Sequence, residues 1–124
     1  MAQYLVLIYA PNPADSDTLS AEERDAHGRY ADELIESGAM VAAFALHPVA
    51  TAATSIRGDG ITDGPFVDTK DTVSGVYVIE ASDPDAALEV ARRNPITQQG
   101  GGVEVRPVES SFIVDRAVYS PPQS

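Results

Sequence analysis

Thr72-Val73-Ser74-Gly75-Val76-Tyr77-Val78-Ile79-Glu80, followed at once by Ala81-Ser82-Asp83-Pro84-Asp85, reads as a strand running into the start of a helix. Val73, Gly75, Tyr77 and Ile79 alternate with Ser74, Val76, Val78 and Glu80, the period of two of a pleated strand, and the second set is more polar at its ends. Asp83 suits the capping position, Pro84 the first helical position, and acidic residues the positive end of the helix dipole. The helix is predicted over 83–94: Arg92 and Arg93 complement its negative end, and Asn94-Pro95 stops it.

Outward from this unit, the chain repeats the same grammar. Towards the N-terminus, Tyr4 to Tyr9 is apolar on both faces and rich in β-formers, as a strand in the middle of a sheet should be. After a break at Ala10-Pro11-Asn12-Pro13 and a polar loop, Ser20-Ala21-Glu22-Glu23 matches a capping box. A helix over 20–38 follows, with Ala26, Tyr30, Leu34, His27, Ala31 and Ile35 on one semi-apolar stripe and Gly38 as its stop. Met40–Leu46 and Ala52–Arg57 are predicted to pair as a hairpin, and Gly58-Asp59-Gly60 and Asp63-Gly64-Pro65 mark turns. Beyond Pro95, Gly100-Gly101-Gly102 reads as a flexible turn into the alternating strand Val103–Arg106, and Phe112-Ile113-Val114 as a short extra strand. Residues 1–115 make one domain, and the tail 116–124 is predicted to fray.

The order β-α-β-β-α-β is that of the ferredoxin-like α+β fold, an antiparallel sheet with both helices on one face. Alternate apolar residues of the first strand and of Thr72–Glu80 would then crowd the open face, and burying them sheet to sheet in a homodimer removes an exposed patch.

Composition narrows the function classes. With 124 residues, 44% hydrophobic and 22% charged, the chain has the balance of one globular domain. Eight Lys and Arg against nineteen Asp and Glu leave a net charge of −11, which repels phosphate backbones and anionic lipid surfaces, so neither nucleic acid nor membrane is an expected partner. The absence of cysteine excludes disulfides, thiolate nucleophiles and cysteine-based zinc sites, and fits a reducing cytoplasm. Met1 to Tyr9 has no basic region, and its apolar run is far short of the roughly 20 residues that span a bilayer. With two histidines and no H-x-x-x-H spacing, no metal site and no cofactor are expected.

Asp63-Gly64-Pro65-Phe66-Val67-Asp68-Thr69-Lys70-Asp71 resembles the signature of the DGPF branch of the YCII-related family, and Gly102-Val103-Glu104-Val105-Arg106-Pro107-Val108 is similar to the end of the same domain. The resemblance covers roughly residues 3–109, from before the Ser-x-Glu-Glu helix start to beyond Asn94-Pro95. Asp68 and Asp71 stand where family members more often carry Glu, which keeps the charge and shortens the reach. The resemblance implies a ferredoxin-like fold, dimers of dimeric α/β-barrel type, and a bacterial cytoplasmic setting in which relatives often accompany extracytoplasmic-function sigma factors. It also implies a histidine on the first helix ahead of the glycine that ends it, as His27 and Gly38 stand here, working with an aspartate as an acid/base dyad in the broader family. Some relatives catalyse elimination on chlorinated ring-derived acids. Where that branch tends to show Asp-Pro after the second helix, this chain has Asn94-Pro95, which can orient an imidazole but cannot stabilise its cation with charge.

The candidate site follows. His27 is the proton-transfer candidate, because imidazole alone takes and gives a proton near neutrality at its unperturbed pKa; as a bland alternative it packs at a helix–sheet boundary. Its carboxylate partner is expected from the DGPF loop, Asp63 or Asp68. In that loop Asp63, Gly64 and Pro65 each have backbone reasons to be there, and Phe66 anchors the turn; the functional alternative has the loop closing over a cleft, with Phe66, Asp68 and Lys70 contacting a small ligand. Arg106 either pairs with Glu104 on the same strand face or binds a substrate carboxylate. Two function classes stand side by side: a lyase or isomerase acting on a small organic acid, and a non-catalytic dimer that binds a metabolite or a sigma factor.

Overall fold

Strand Asp71–Ala81, which contains the stretch quoted first, pairs antiparallel with two neighbours and so lies inside the sheet, where apolar residues on both faces belong. The structure, a computed structural model, describes residues 1–11, 20–47, 52–67 and 69–114. Within them the order is β1 (Ala2–Pro11), α1 (Ala21–Glu36), β2 (Met40–Ala45), β3 (Thr54–Arg57), β4 (Gly60–Asp63), β5 (Asp71–Ala81), α2 (Pro84–Ala91), a single 3₁₀ turn (Pro95–Gln98) and β6 (Gly102–Pro107). The main sheet is antiparallel with strand order β2-β5-β1-β6, and β3 and β4 form a separate two-stranded hairpin. Among the described residues the architecture is therefore α+β, with the two helices α1 and α2 and a mostly antiparallel sheet.

Register decides which side of the sheet is buried. Tyr4 lies opposite Ile79 and Val6 opposite Tyr77, so these four share one face. They form the core with Tyr30 and Leu34 of α1 and Ala87 and Ala91 of α2, which puts both helices over that face. Val6 and Ile79 are 0% exposed and Leu34 is 2%. Fully burying an aliphatic side chain of this size contributes about 1.5–3 kcal/mol. On the opposite face Leu5 faces Val78, and Leu7 and Phe44 both face Val76; these stay partly or largely exposed among the described residues.

Both helix starts form as their sequences predict. The Ser20 hydroxyl accepts from the Glu23 amide at 3.1 Å and the Glu23 carboxylate accepts from Ser20 N–H at 3.0 Å, completing the capping box. The Asp83 carboxylate accepts from the Ala86 amide at 2.8 Å, with Pro84 at the first helical position. The second helix is shorter than predicted, because Asn94-Pro95 does more than stop it: Asn94 caps the 3₁₀ turn that Pro95 begins.

Three expectations are corrected. Met40–Leu46 does not pair with Ala52–Arg57; β2 adds to the edge of β5, and β3 folds back onto β4 through the two-residue turn Gly58-Asp59. The local turn brings residues 54–57 and 60–63 together at almost no loop-closure cost, so the nearer partner wins. Phe112-Ile113-Val114 forms no strand, and Phe112 is 91% exposed. Gly101 is a packing requirement rather than a flexible link: a Cβ there would come within 2.2 Å of the Tyr9 carbonyl oxygen and 2.7 Å of Ile96. The predicted tail, 116–124, lies outside the described residues.

Candidate functional site

At the end of the sheet where β1 finishes and α1 begins, the 3₁₀ turn brings Gln99 against His27, 72 residues earlier in the chain. His27 sits half-buried on α1, on the flank of the stripe that buries Tyr30 and Leu34. Its Nε2 lies 2.7 Å from Gln99 Oε1, and Gln99 Nε2 donates to the Glu23 carbonyl at 3.4 Å. Among the described residues no carboxylate forms an ion pair with His27.

Thr72 stands at the same end of the sheet. It lies opposite Ala10, which by alternation shares the helix-facing side with Tyr4, Val6 and Ile8. Thr72 is 4% exposed, and its hydroxyl is buried with no hydrogen-bond partner among the described residues. A buried hydroxyl without a partner is costly to maintain, so it is the kind of group that an incoming polar ligand can satisfy.

One turn of α1 further from that end lies a second polar centre, and it is fully satisfied. Tyr30 donates its phenolic hydrogen to the Val90 carbonyl at 2.9 Å. That hydrogen being spent, the 2.9 Å contact between the Tyr30 and Tyr77 oxygens requires Tyr77 to donate, and Asn94 Nδ2 donates to Tyr77 at 3.2 Å. Asn94 Oδ1 accepts from the Ile96 amide at 2.9 Å. The result is a one-directional chain, Asn94 to Tyr77 to Tyr30 to Val90, with the two rings edge to face at 6.1 Å between centroids. Burial pushes both phenols above their ordinary pKa, so both stay neutral at physiological pH. Asn94, read from sequence as able to orient an imidazole, is committed to Tyr77 and Ile96; Gln99 is the amide that meets His27.

Among the described residues none of the remaining candidates bonds to His27. Asp63 ends β4, exposed and paired with Thr54, and no hydrogen bond or ion pair joins it to His27. Gly64 adopts φ +111°, its amide donates to the Ala53 carbonyl at 2.9 Å, and its own carbonyl accepts from Ser55 Oγ at 2.7 Å. Phe66 is exposed and lies under the Arg57 guanidinium, 4.1 Å above the ring centre. Lys70 is exposed just before β5, and Asp68 lies outside the described residues. Arg106 lies opposite Leu5 and so on the sheet face away from His27, 3.9 Å from Glu104, whose other oxygen accepts from Tyr9 at 3.3 Å. Burial first, then the Glu104 charge, raises the Tyr9 phenol. A groove of about 610 Å³ between α2 and β6, floored by Leu88, Val103 and Val105 and edged by Arg92 and Thr97, contains none of the sequence candidates.

Among the described residues no group of three His, Asp or Glu gathers to hold a metal ion, and no helix is long and apolar enough to cross a membrane. Gln99 and Thr72 were not singled out from sequence: each is an ordinary polar residue in its own segment, and its position beside α1 or under the helix layer comes from strand register and the 3₁₀ turn.

Comparison with known proteins adds two findings. The profile of the YCII-related domain matches residues 2–111. An uncharacterized protein of Rhizobium meliloti (strain 1021) is 34% identical over 119 residues, covering 85% of this chain and 90% of the relative.

Proposed function

The chain belongs to the YCII-related domain family, and from that premise we propose that it acts on a small organic acid by proton transfer, as a lyase or isomerase, with His27 as the acid/base. The observation that carries this reading is the pairing of spare valences at one end of the sheet. His27 has one ring nitrogen tied to Gln99, and Thr72 holds a buried hydroxyl with no partner among the described residues. An acid could meet the Thr72 hydroxyl through a carbonyl or carboxylate oxygen, with His27 as the acid/base at the same end of the sheet. The neutral Gln99 holds the imidazole through an acceptor oxygen, so it favours the cation less than a carboxylate would. Asp63 enters this reading as a carboxylate of the DGPF loop that approaches a bound ligand, with Phe66 and Lys70 as further contacts.

Around this site we place the chain in the DGPF branch, with a ferredoxin-like arrangement and a homodimer formed through the sheet face that carries Leu5, Leu7, Val76, Val78 and Phe44. Val78→Glu is expected to give monomers or aggregates, and light scattering that finds the unmutated protein monomeric at micromolar concentration overturns the dimer.

The test of the chemistry is deuterium incorporation from D₂O into the α-carbon of a panel of small keto and unsaturated acids, followed by NMR. The wild-type protein is expected to accelerate exchange on at least one of them, and His27→Asn to lose about 10²–10⁴-fold of that rate while keeping its melting temperature within a few degrees. A second reading rests on the neutral partner of His27: a non-catalytic dimer that binds a metabolite or a sigma factor. Saturable binding without exchange, unchanged in His27→Asn, selects it and ends the enzyme proposal.

A further inference from the structure

We infer that Gln99 is a positioning residue that holds His27 as its Nε2–H tautomer, leaving Nδ1 as the nitrogen that takes and gives the proton. The argument is one of donors and acceptors. Gln99 Nε2 faces the Glu23 carbonyl at 3.4 Å, and a carbonyl only accepts, so the NH₂ end of the amide must point there. That leaves Oε1 facing His27 Nε2 at 2.7 Å. Oε1 also only accepts, so Nε2 carries a hydrogen in the neutral ring as well as in the cation. Nδ1 is then the nitrogen with a free lone pair.

Gln99 reaches two parts of the same helical turn. Glu23 O is the carbonyl that the His27 backbone amide meets four residues on in the α-helical ladder, and a carbonyl has lone pairs for both donors. The amide therefore ties the ring of His27 to the turn that carries it. Gln99 is itself held: its backbone amide donates to the Ile96 carbonyl at 3.0 Å, and the Gly101 amide donates to the same carbonyl at 3.1 Å. Ile96 is buried, and its amide is bound by Asn94 Oδ1. The ring orientation of His27 is thereby keyed to the buried Asn94 through one rigid turn.

This deepens the proton-transfer reading of the same site, but it is measured on the resting protein without turnover. In ¹⁵N-labelled wild-type protein above the His27 titration, long-range ¹H–¹⁵N spectra are expected to show Nδ1 unprotonated and Nε2 protonated, with the Nε2 hydrogen exchanging about five- to tenfold more slowly than in Gln99→Leu. Gln99→Leu should shift both ring nitrogens towards the averaged values of mixed tautomers. Gln99→Glu keeps the acceptor towards His27 and the shape while giving up the donor to the Glu23 carbonyl, so it should restore the Nε2–H pattern and favour the ring cation. Because Gln99→Glu is nearly isosteric, it reports on the bond even if Gln99→Leu folds poorly. A wild-type ring protonated at Nδ1, or ring signals and midpoints unmoved by either substitution, overturns the assignment. Correct tautomer with no deuterium exchange on any acid leaves the positioning intact and removes the enzyme reading instead.

Discussion

Two polar centres lie under the helices, built from similar groups and finished differently. Around Tyr77 every buried side-chain polar atom has a partner: Asn94, Tyr77, Tyr30 and the Val90 carbonyl form one chain of hydrogen bonds in a single direction. Around His27 the accounts stay open, with one bond from the ring to Gln99 and a buried Thr72 hydroxyl that meets nothing among the described residues. The first arrangement specifies a core, because each buried group would be costly if its partner moved. The second costs stability and keeps capacity for a ligand. A satisfied buried network and an unsatisfied one therefore predict opposite responses to mutation.

The largest effect should come from Asn94→Asp, which breaks the satisfied centre. Asn94 is 2% exposed, so a carboxylate there is desolvated and its folded pKa is raised. It also removes the donor to Tyr77: if Tyr77 turns to donate to the carboxylate, the hydrogen between the two phenols is lost. At neutral pH the cost should be about 3 kcal/mol. A raised folded pKa means that the protonated side chain is tolerated below the unfolded value of about 4 and that the penalty grows as pH rises through the folded pKa. Urea midpoints should therefore separate wild type and variant widely at pH 7.5 and much less at pH 4.5. An equal gap at both values would show that position 94 does not carry the donor in this chain of bonds.

Thr72→Val should have the smallest effect on stability, and it sharpens the contrast. Valine matches threonine in shape and in its preference for strands, and the hydroxyl it removes has no partner among the described residues. The melting temperature should stay level or rise, by up to about 1 kcal/mol of stability, while affinity for any ligand of the His27 site falls. A loss of more than about 1 kcal/mol would mean that the hydroxyl is bonded and that the two centres are alike.

Legibility in the sequence tracked the range of the interaction. The capping box at Ser20 and Glu23 and the Asp83-Pro84 start were readable because donor and acceptor are three residues apart. The central place of β1 was readable because apolar residues occupy both its faces, whereas that of β5 came from its pairing on both sides. The partner of β3 was misread because a run of mixed Ala, Thr and Ile fits either neighbour, and the Gly58-Asp59 turn settled it in favour of the closer one. Gly64 was legible for the same local reason, and it does take the positive φ that the turn requires.

The amino-acid sequence by itself determined both helix starts and most of the strands, the family, the acidic balance and the candidacy of His27, since these depend on periodicity, capping and composition within short windows. The tertiary structure alone decided what His27 touches. The amide that meets it comes from Gln99 rather than Asn94, Arg106 lies across the sheet, and the buried Thr72 hydroxyl has no partner among the described residues. Those outcomes depend on strand register and on a single turn that closes a loop of 72 residues, and a hydrogen bond of that span leaves no mark on either of the segments it joins.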